Sequence, residues 1–181
     1  LLIGNSDYSK SGGWTSLSSP INDINEIAKV LKKNYNFAKV EVLPDATRDK
    51  LFKSLIKLKK VITPNDYLLI YYGGHGDQDA NRAYWIPVNA GKEWDENWID
   101  TATITAAVSR IKTKHTLLMI DSCYVGTSIK GNQSEVTDNY KANAKIAEKA
   151  LLNRAGIVIS SGSTTSVVDT AIDDRHSPFA Y

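Results

Sequence analysis

Cys123 and His75 are the two side chains of this sequence best suited to covalent chemistry. Cys123 is the only cysteine among 181 residues, and His75 stands 48 positions before it. A thiol with its ordinary pKa of about 8.5 is mostly protonated at neutral pH, so it becomes a strong nucleophile when a nearby imidazole takes its proton. The same imidazole can later protonate a leaving amine. The pair therefore predicts a cysteine peptidase.

The residues around each member of the pair support this interpretation. His75 lies in Tyr-Tyr-Gly-Gly-His-Gly and Cys123 in Asp-Ser-Cys-Tyr-Val-Gly, and each run ends an apolar stretch. Glycines beside the histidine let a substrate backbone approach, and the amides of Gly76 and Cys123 are candidates to hold the oxyanion of a tetrahedral intermediate. Taken singly, the cysteine could be a small buried hydrophobe and the histidine a loop residue satisfied by backbone. Their joint pattern favours catalysis.

The segments that must position these residues alternate between strands and helices. Apolar runs predict strands, the fourth of them a short strand or hairpin arm, at Leu1–Asn5, Ala38–Leu43, Tyr67–Tyr72, Tyr84–Val88, Thr116–Ile120 and Gly156–Ser160. Helices are predicted from Ser19-Pro20, after Thr47 and over Thr103–Ile111. This alternation is typical of an α/β domain with a mostly parallel central sheet and helices on both faces. Because ligands bind beyond the carboxyl ends of such strands, His75 and Cys123 are expected at one edge.

Composition and charge exclude several classes of protein. With 42% apolar and 23% charged residues, the chain is an ordinary globular protein. A net charge of +2 is too small to indicate binding to nucleic acid or to an anionic membrane. No apolar run approaches the roughly 20 residues that a membrane span needs. A single cysteine gives no sign of an oxidising compartment, so we expect a cytoplasmic protein.

The chain is long enough for one domain with a sizeable core. It opens without Met inside an apolar run and stops just after Ser177-Pro178, a pair that suits the start of a helix. We therefore expect residues 1–181 to be one domain of a longer protein, with any regulatory domain outside it. One basic cluster is interpreted as the solvated face of a helix: Lys50, Lys53, Lys57, Lys59 and Lys60.

Several motifs together resemble the caspase–metacaspase superfamily. They are Leu-Ile-Gly-Asn at the start, Pro-Ile-Asn-Asp opening the first helix, Tyr-Tyr-Gly-Gly-His-Gly, Trp-Ile-Pro-Val, Ile-Asp-Ser-Cys and Ile-Ser-Ser-Gly. The resemblance is to the metacaspase and bacterial, orthocaspase-like branches, since true caspases carry Gln-Ala-Cys where this chain has Asp-Ser-Cys. It implies a caspase-like three-layer α/β/α sandwich and a cysteine endopeptidase, with Cys123 as nucleophile and His75 as general acid–base.

The resemblance also implies a pocket for the side chain before the scissile bond. In metacaspase-like enzymes two acids form this pocket, and their positions match Asp23 and Asp121 here. Two carboxylates in one pocket favour a guanidinium or ammonium, so we expect cleavage of a protein or peptide substrate after Arg or Lys. The alternatives are local. Asp23 suits the first turn of a helix, where the macrodipole stabilises an acid, and Asp121 suits a turn that orients its own loop.

Two further segments take their roles from the same resemblance. Ser160 and Ser161 match the stretch that pairs with substrate backbone in this family, although a polar strand end could equally be a plain loop. The polar, Lys-rich segment Ile129–Leu152 follows the nucleophile, where loops of the family are often cleaved in activation. A solvated loop or helix is the alternative for this segment.

Metal binding has less support, and no cofactor is expected to be required. Some metacaspases need calcium, but the spacing of the suitable loop acids matches no calcium loop: Asp77, Asp79, Asp95, Glu96 and Asp100. Three histidines and one cysteine show no zinc pattern, and we interpret His115 and His176 as structural or incidental. Trp94 and Trp98 could either cover the core or contact substrate.

Three classes of function remain open from the sequence. The first is the endopeptidase, including one of different specificity or one whose acyl-enzyme is resolved by an amine. The second is a catalytically silent interaction module on the same fold. The third is a nucleotide-binding α/β domain, suggested by Gly4-Asn5 after the first strand and Gly-Gly-His-Gly after a later one, although neither a Gly-x-Gly-x-x-Gly motif nor a P-loop is present.

Overall fold

The computed structural model describes residues 1–79, 82–93, 95–123, 155–161 and 175–181. Trp94 lies outside the described residues. So does the segment Ile129–Leu152, for which the sequence predicts either activation cleavage or a solvated loop or helix.

Strands and helices alternate along the described chain, as predicted. The strands are β1 (Leu2–Gly4), β2 (Val42–Pro44), β3 (Tyr67–Gly73), β4 (Gly76–Asp79), β5 (Arg82–Trp85), β6 (Ile99–Asp100), β7 (His115–Asp121) and β8 (Ala155–Ser160). The helices are α1 (Pro20–Asn34), α2 (Arg48–Val61) and α3 (Thr101–Ser109).

Local sequence explains where the helices begin. Pro20 opens α1 because its fixed φ suits the first turn and its missing N–H is not needed there, whereas the Ser19 side chain does not cap the helix. Thr47 caps α2, its hydroxyl accepting from the Lys50 amide at 3.3 Å. The third helix begins two residues before the predicted start, because the carboxylate of Asp100 accepts from the Ala102 amide at 2.7 Å.

Five strands form one parallel sheet in the order β2-β1-β3-β7-β8. The central strands β3 and β7 pair along their whole lengths, from Tyr67 opposite His115 to Gly73 opposite Asp121. Strands β4, β5 and β6 form a separate antiparallel sheet that begins three residues after β3 ends. The carboxyl ends of β3 and β7 are therefore adjacent at one edge.

Two cores cover the two faces of the parallel sheet. On one face α2 and α3 pack against side chains that alternate along the central strands: Ile70, Tyr72, Leu118 and Ile120 against Leu51, Leu55, Leu58, Ile104 and Val108. On the other face α1 packs against the intervening side chains: Leu2 and Tyr71 against Ile24, Ala28 and Leu31. These layers form the predicted α/β/α sandwich with a mostly parallel central sheet.

Two strand boundaries differ from the sequence prediction. The run Ala38–Leu43 pairs only over Val42–Pro44, because its neighbour β1 is itself three residues long. The arm predicted over Tyr84–Val88 ends at Trp85, and Pro87 two residues later has no N–H to give a ladder. Within the described ranges, no helix has both the length and the apolar character to cross a bilayer.

Candidate active site

Strands β3 and β7 carry His75 and Cys123 to the same edge of the sheet. Gly73 lies opposite Asp121, and the Gly74 amide donates to the Asp121 carbonyl oxygen at 3.3 Å. His75 and Cys123 each stand two residues beyond that register pair. The pairing of the strands therefore brings the two segments side by side, as the topology predicted.

Gly76 shows how closely the two loops approach. A Cβ atom at this position would overlap the carbonyl oxygen of Cys123 and would lie 2.9 Å from Ser122 Oγ. Only glycine, which has no side chain, lets the backbone after His75 pack directly against the backbone of Cys123. The roles of the Gly76 and Cys123 amides in an oxyanion hole stay predictions.

The imidazole of His75 is oriented by the loop that follows β1. Its Nε2 atom lies 2.7 Å from the main-chain carbonyl oxygen of Thr15. A carbonyl oxygen only accepts hydrogen bonds, so Nε2 carries a proton in this contact. We assign the tautomer from this partner: in a neutral ring, Nδ1 then presents a lone pair.

Aromatic rings flank the same imidazole. The ring centroid of Tyr8 lies 4.6 Å from that of His75 in an edge-on arrangement, and the Trp14 centroid lies 5.1 Å away at a tilt of 36°. Trp14 also contacts Trp98 at 5.9 Å, and Lys92 Nζ lies 5.2 Å from the Trp14 ring. The half-buried Trp98 thus packs against a neighbour of the histidine, and the loop between β5 and β6 supports the ring that covers the imidazole.

Two tyrosine hydroxyls hold the backbone of His75. Its amide donates to the Tyr8 hydroxyl oxygen at 3.1 Å, and the Tyr72 hydroxyl donates to its carbonyl oxygen at 2.8 Å. Tyr8 in turn donates to the Ile86 carbonyl oxygen at 2.8 Å. Burial raises the pKa of both phenols well above the usual value, so both stay protonated donors. The histidine is therefore held at its main chain as well as at its ring.

The two predicted pocket acids come together beneath the last described segment. Asp23 is 1% exposed and Asp121 is 8% exposed. Ser177 connects them, since its amide donates to Asp23 Oδ2 at 3.3 Å and its hydroxyl donates to Asp121 Oδ2. The Tyr71 hydroxyl also donates to Asp121 Oδ2, at 3.2 Å. The acids form one cluster.

His176 joins the cluster of Asp23 and Asp121. Its Nδ1 atom lies 2.7 Å from Asp23 Oδ1. Burial raises the pKa of Asp23, the hydrogen bonds from His176 and Ser177 oppose that shift, and the charge of Asp121 adds to it. The interpretation of His176 as structural or incidental overlooked this contact with a predicted substrate-binding residue.

Ser160 and Ser161 lie one strand beyond Asp121 at the same edge. Ser160 pairs with Ile120 of β7, and the Ser161 amide donates to the Ile120 carbonyl oxygen at 3.0 Å. The hydroxyl oxygens of Ser161 and Ser122 are buried and have no hydrogen-bond partner among the described residues. Pairing of Ser160 and Ser161 with substrate stays a prediction.

Sequence reasoning missed Tyr8, Thr15, His176 and Ser177 as parts of the site. The sequence carried one signal near His176 and Ser177, because Ser177-Pro178 was recognised as a helix start. In the structure the Ser177 hydroxyl accepts from the Ala180 amide at 3.0 Å. Thr15 had no signal, because it acts through its main-chain oxygen, which every residue type has.

The structure adds nothing in favour of a metal at this site. In the part of the chain that the structure describes, no group of three or more His, Cys, Asp or Glu side chains is placed to hold an ion. Among the suggested calcium acids, Asp100 caps α3 and Asp77 and Asp79 lie on β4. Calcium activation stays a prediction.

Comparison with known proteins places this geometry in a family. The family model described as the caspase domain matches residues 1–181, the whole sequence. The chain belongs to the caspase domain family. This membership confirms the resemblance to the caspase–metacaspase superfamily, and it places the chain in a family of cysteine peptidases.

Individual relatives of this caspase domain are distant. The human mucosa-associated lymphoid tissue lymphoma translocation protein 1 is 26% identical over 124 residues, which cover 68% of this chain and 14% of that protein. Its homolog from Mus musculus is 26% identical over 126 residues with the same shares. The chain thus matches about one seventh of the length of these curated relatives.

A solved structure supports the fold. The crystal structure of protein GSU0716 from Geobacter sulfurreducens superposes with a TM-score of 0.66 at 19% sequence identity, covering 99% of this chain and 77% of that chain. At this identity the likeness concerns the fold, and it agrees with the caspase-like α/β architecture.

Proposed function

We propose that this caspase domain is a cysteine endopeptidase that cleaves peptide bonds after Arg or Lys through an acyl-enzyme. The observation that carries the proposal is the close packing of Gly76 on Cys123, which sets the His75 loop against the only thiol of the sequence. Family membership supports the peptidase class. The cluster of Asp23 and Asp121 supports a cationic substrate side chain.

In the proposed acylation, Nδ1 of His75 takes the proton from Cys123 Sγ, and the thiolate attacks the carbonyl carbon of the scissile bond. The amides of Gly76 and Cys123 stabilise the oxyanion that forms. The imidazolium then protonates the leaving amine as the C–N bond breaks, which leaves a thioester on Cys123. A water molecule that gives its proton to His75 hydrolyses the thioester and restores the thiol.

The Thr15 carbonyl oxygen suits both protonation states of this base. Nε2–H donates to it in the neutral ring and equally in the imidazolium. The ring can therefore gain and lose a proton at Nδ1 without turning, so no reorientation of the imidazole is added to the barrier. This contact supports His75 as the acid–base residue.

The charges of Asp23 and Asp121 support specificity for a basic side chain of the substrate. No described lysine or arginine forms an ion pair with Asp23 or Asp121. Two neighbouring carboxylates without a described lysine or arginine partner leave a negative potential, which favours a guanidinium or ammonium from the substrate. An acidic side chain at the same place would add a third negative charge in a buried setting, which is costly.

Covalent labelling tests the peptidase proposal. We expect an Arg-directed acyloxymethyl ketone, with and without added calcium, to give one adduct on Cys123 by peptide mass mapping. Labelling should be lost in His75→Ala. It should persist in His115→Ala, because that histidine lies at the opposite end of β7. The absence of an adduct under every condition would contradict the proposal and favour a catalytically silent module.

A matched set of peptides tests the specificity separately. Four fluorogenic substrates would carry Arg, Lys, citrulline or Asp before the scissile bond and be otherwise identical. We expect turnover of the Arg and Lys peptides above that of citrulline, the neutral isostere of Arg, and no turnover after Asp. Equal rates for Arg and citrulline, or cleavage only after Asp, would exclude a cationic pocket while leaving the peptidase class intact.

A further inference from the structure

His176 lies beside the buried acids, in the position that a bound cation would occupy. Its Nδ1 atom lies 2.7 Å from Asp23 Oδ1, and its side chain is 18% exposed where that of Asp23 is 1% exposed. The next residue, Ser177, bridges both acids with its amide and its hydroxyl. The described segment 175–181 therefore closes over the acids where the proposed substrate cation would bind.

The two carboxylates are not equally engaged by the protein. Both oxygens of Asp23 have partners, His176 at Oδ1 and the Ser177 amide at Oδ2. Among the described residues, hydrogen bonds reach the Asp121 carboxylate at Oδ2 alone, from Tyr71 and Ser177. Asp121 therefore keeps one oxygen without a described partner, whereas a ligand of Asp23 would have to share an oxygen with His176 or with the Ser177 amide.

The charge on His176 decides how strongly the cluster attracts a cation. A protonated imidazole neutralises Asp23, and a neutral imidazole restores the charge of both acids. Among the described residues, the charged groups near His176 are Asp23 and Glu26 from α1 and Arg175 from its own segment, with Asp121 of β7 behind Asp23.

We propose that His176 is a specificity-determining residue that competes with the basic side chain of the substrate for Asp23. A guanidinium or ammonium binds with full strength when His176 is neutral or displaced, and Asp121 offers the first contact. The inference rests on the proposed function, because it concerns the same pocket. It predicts that removing the imidazole from Asp23 increases the discrimination between Arg and citrulline.

Kinetics of matched substrates test this competition. The ratio of kcat/KM for Arg and citrulline peptides would be measured at pH 6 and pH 8 in the parent, His176→Asn and His115→Asn proteins. We expect His176→Asn to raise the ratio at pH 6 about fivefold, the effect of removing one ion-pair partner. His115→Asn should match the parent. An unchanged or lower ratio in His176→Asn at pH 6 would overturn the proposal.

A binding measurement separates this inference from the proposed function. Benzamidine would be added to Cys123→Ala protein with ¹⁵N-labelled histidines, and the ring signals of His176 followed by NMR. A shift of these signals on binding supports competition even if no peptide is cleaved. Benzamidine binding that leaves them unchanged, or no binding at either pH 6 or pH 8, overturns it. Because this experiment retains His176, it stands even if His176→Asn fails to fold.

Discussion

The Nε2 atom of His75 lies 2.7 Å from the carbonyl oxygen of Thr15, a residue sixty positions earlier in the chain. This contact sets the tautomer of the proposed base through a main-chain atom that side-chain substitution cannot remove. Its strength depends on the loop that presents Thr15, and Trp14, whose ring covers the imidazole, is the neighbour through which the contact can be tested.

Trp14→Ala should impair catalysis more than folding. Loss of a ring contact worth about 1 kcal/mol lets the imidazole turn, so we expect kcat/KM to fall about fivefold, mainly in kcat. Trp14→Phe keeps an aromatic ring and should stay within about twofold of the parent. It gives up no hydrogen bond, because Trp14 Nε1 is buried and has no partner among the described residues.

The pH dependence of Cys123 alkylation by iodoacetamide is the measurement for this pair of variants. We expect the pH profile of alkylation to be shifted from that of the parent in Trp14→Ala and to match that of the parent in Trp14→Phe. Identical profiles for all three proteins would mean that Trp14 supports the fold without positioning His75.

Gly76→Ala should abolish activity. The added methyl group would overlap the Cys123 carbonyl oxygen, so the two loops must separate, and we expect kcat/KM to fall at least about a hundredfold with a loss of about 1–3 kcal/mol in unfolding free energy. Gly156→Ala is the matched control, since a Cβ there meets nothing within 4 Å. Substrate kinetics and urea unfolding of both variants check this. Full activity in Gly76→Ala would contradict the packing.

Tyr8→Phe should destabilise the protein by about 1–3 kcal/mol, because the partly buried amide of His75 loses its acceptor. Tyr84→Phe is the control, since the Tyr84 hydroxyl makes no hydrogen bond to a described residue and its side chain is half-buried. Urea unfolding of the two variants gives the comparison. Equal small effects would show that the Tyr8 hydroxyl is dispensable to the fold.

The carboxylate of Asp23 should make the protein less stable as pH rises. Burial is the largest influence on this group and raises its pKa in the folded state. The folded state therefore binds the Asp23 proton more tightly than the unfolded state does. The resulting stabilisation is complete below the unfolded pKa of about 3.9 and is lost as pH rises through the folded pKa. Asp23→Asn, which does not ionise, should gain stability relative to the parent over that range.

Urea unfolding at a series of pH values measures this difference. The exposed Asp49 supplies the control, and Asp49→Asn should follow the parent with little divergence. A parallel pH profile for Asp23→Asn and the parent would contradict the predicted cost of ionising the buried acid.

Self-cleavage tests the prediction for the Lys-rich segment Ile129–Leu152. If the enzyme cuts after basic residues, the parent chain should become two fragments on incubation while Cys123→Ala remains one band. Gel electrophoresis and intact mass measurement would follow the fragments. The same fragments from Cys123→Ala would indicate cleavage by another protease.

Local sequence was sufficient to predict the elements that carry the site. The apolar runs Tyr67–Tyr72 and Thr116–Ile120 lie within β3 and β7 as predicted. Hydrophobic periodicity depends on residues close in the chain, so it is visible without a structure. Because parallel strands end at a common edge, the placement of His75 beside Cys123 followed from these two runs.

The boundaries of short elements were less predictable. The run Ala38–Leu43 has strand character along its length, but its partner β1 allows pairing over three residues only. The length of an edge strand is set by its neighbour, and that neighbour lies far away in sequence.

By itself the sequence predicted the fold class and the candidate nucleophile and base, because residue type and local period mark each of them. The resemblance to a family supplied the two candidate acids. The tertiary structure decided which groups surround them. Thr15 meets His75 across 60 residues, and His176 meets Asp23 across 153. Contacts over such separations depend on how loops fold across the sheet edge. That is why only the structure showed that one of the paired acids is already bound to the protein's own histidine.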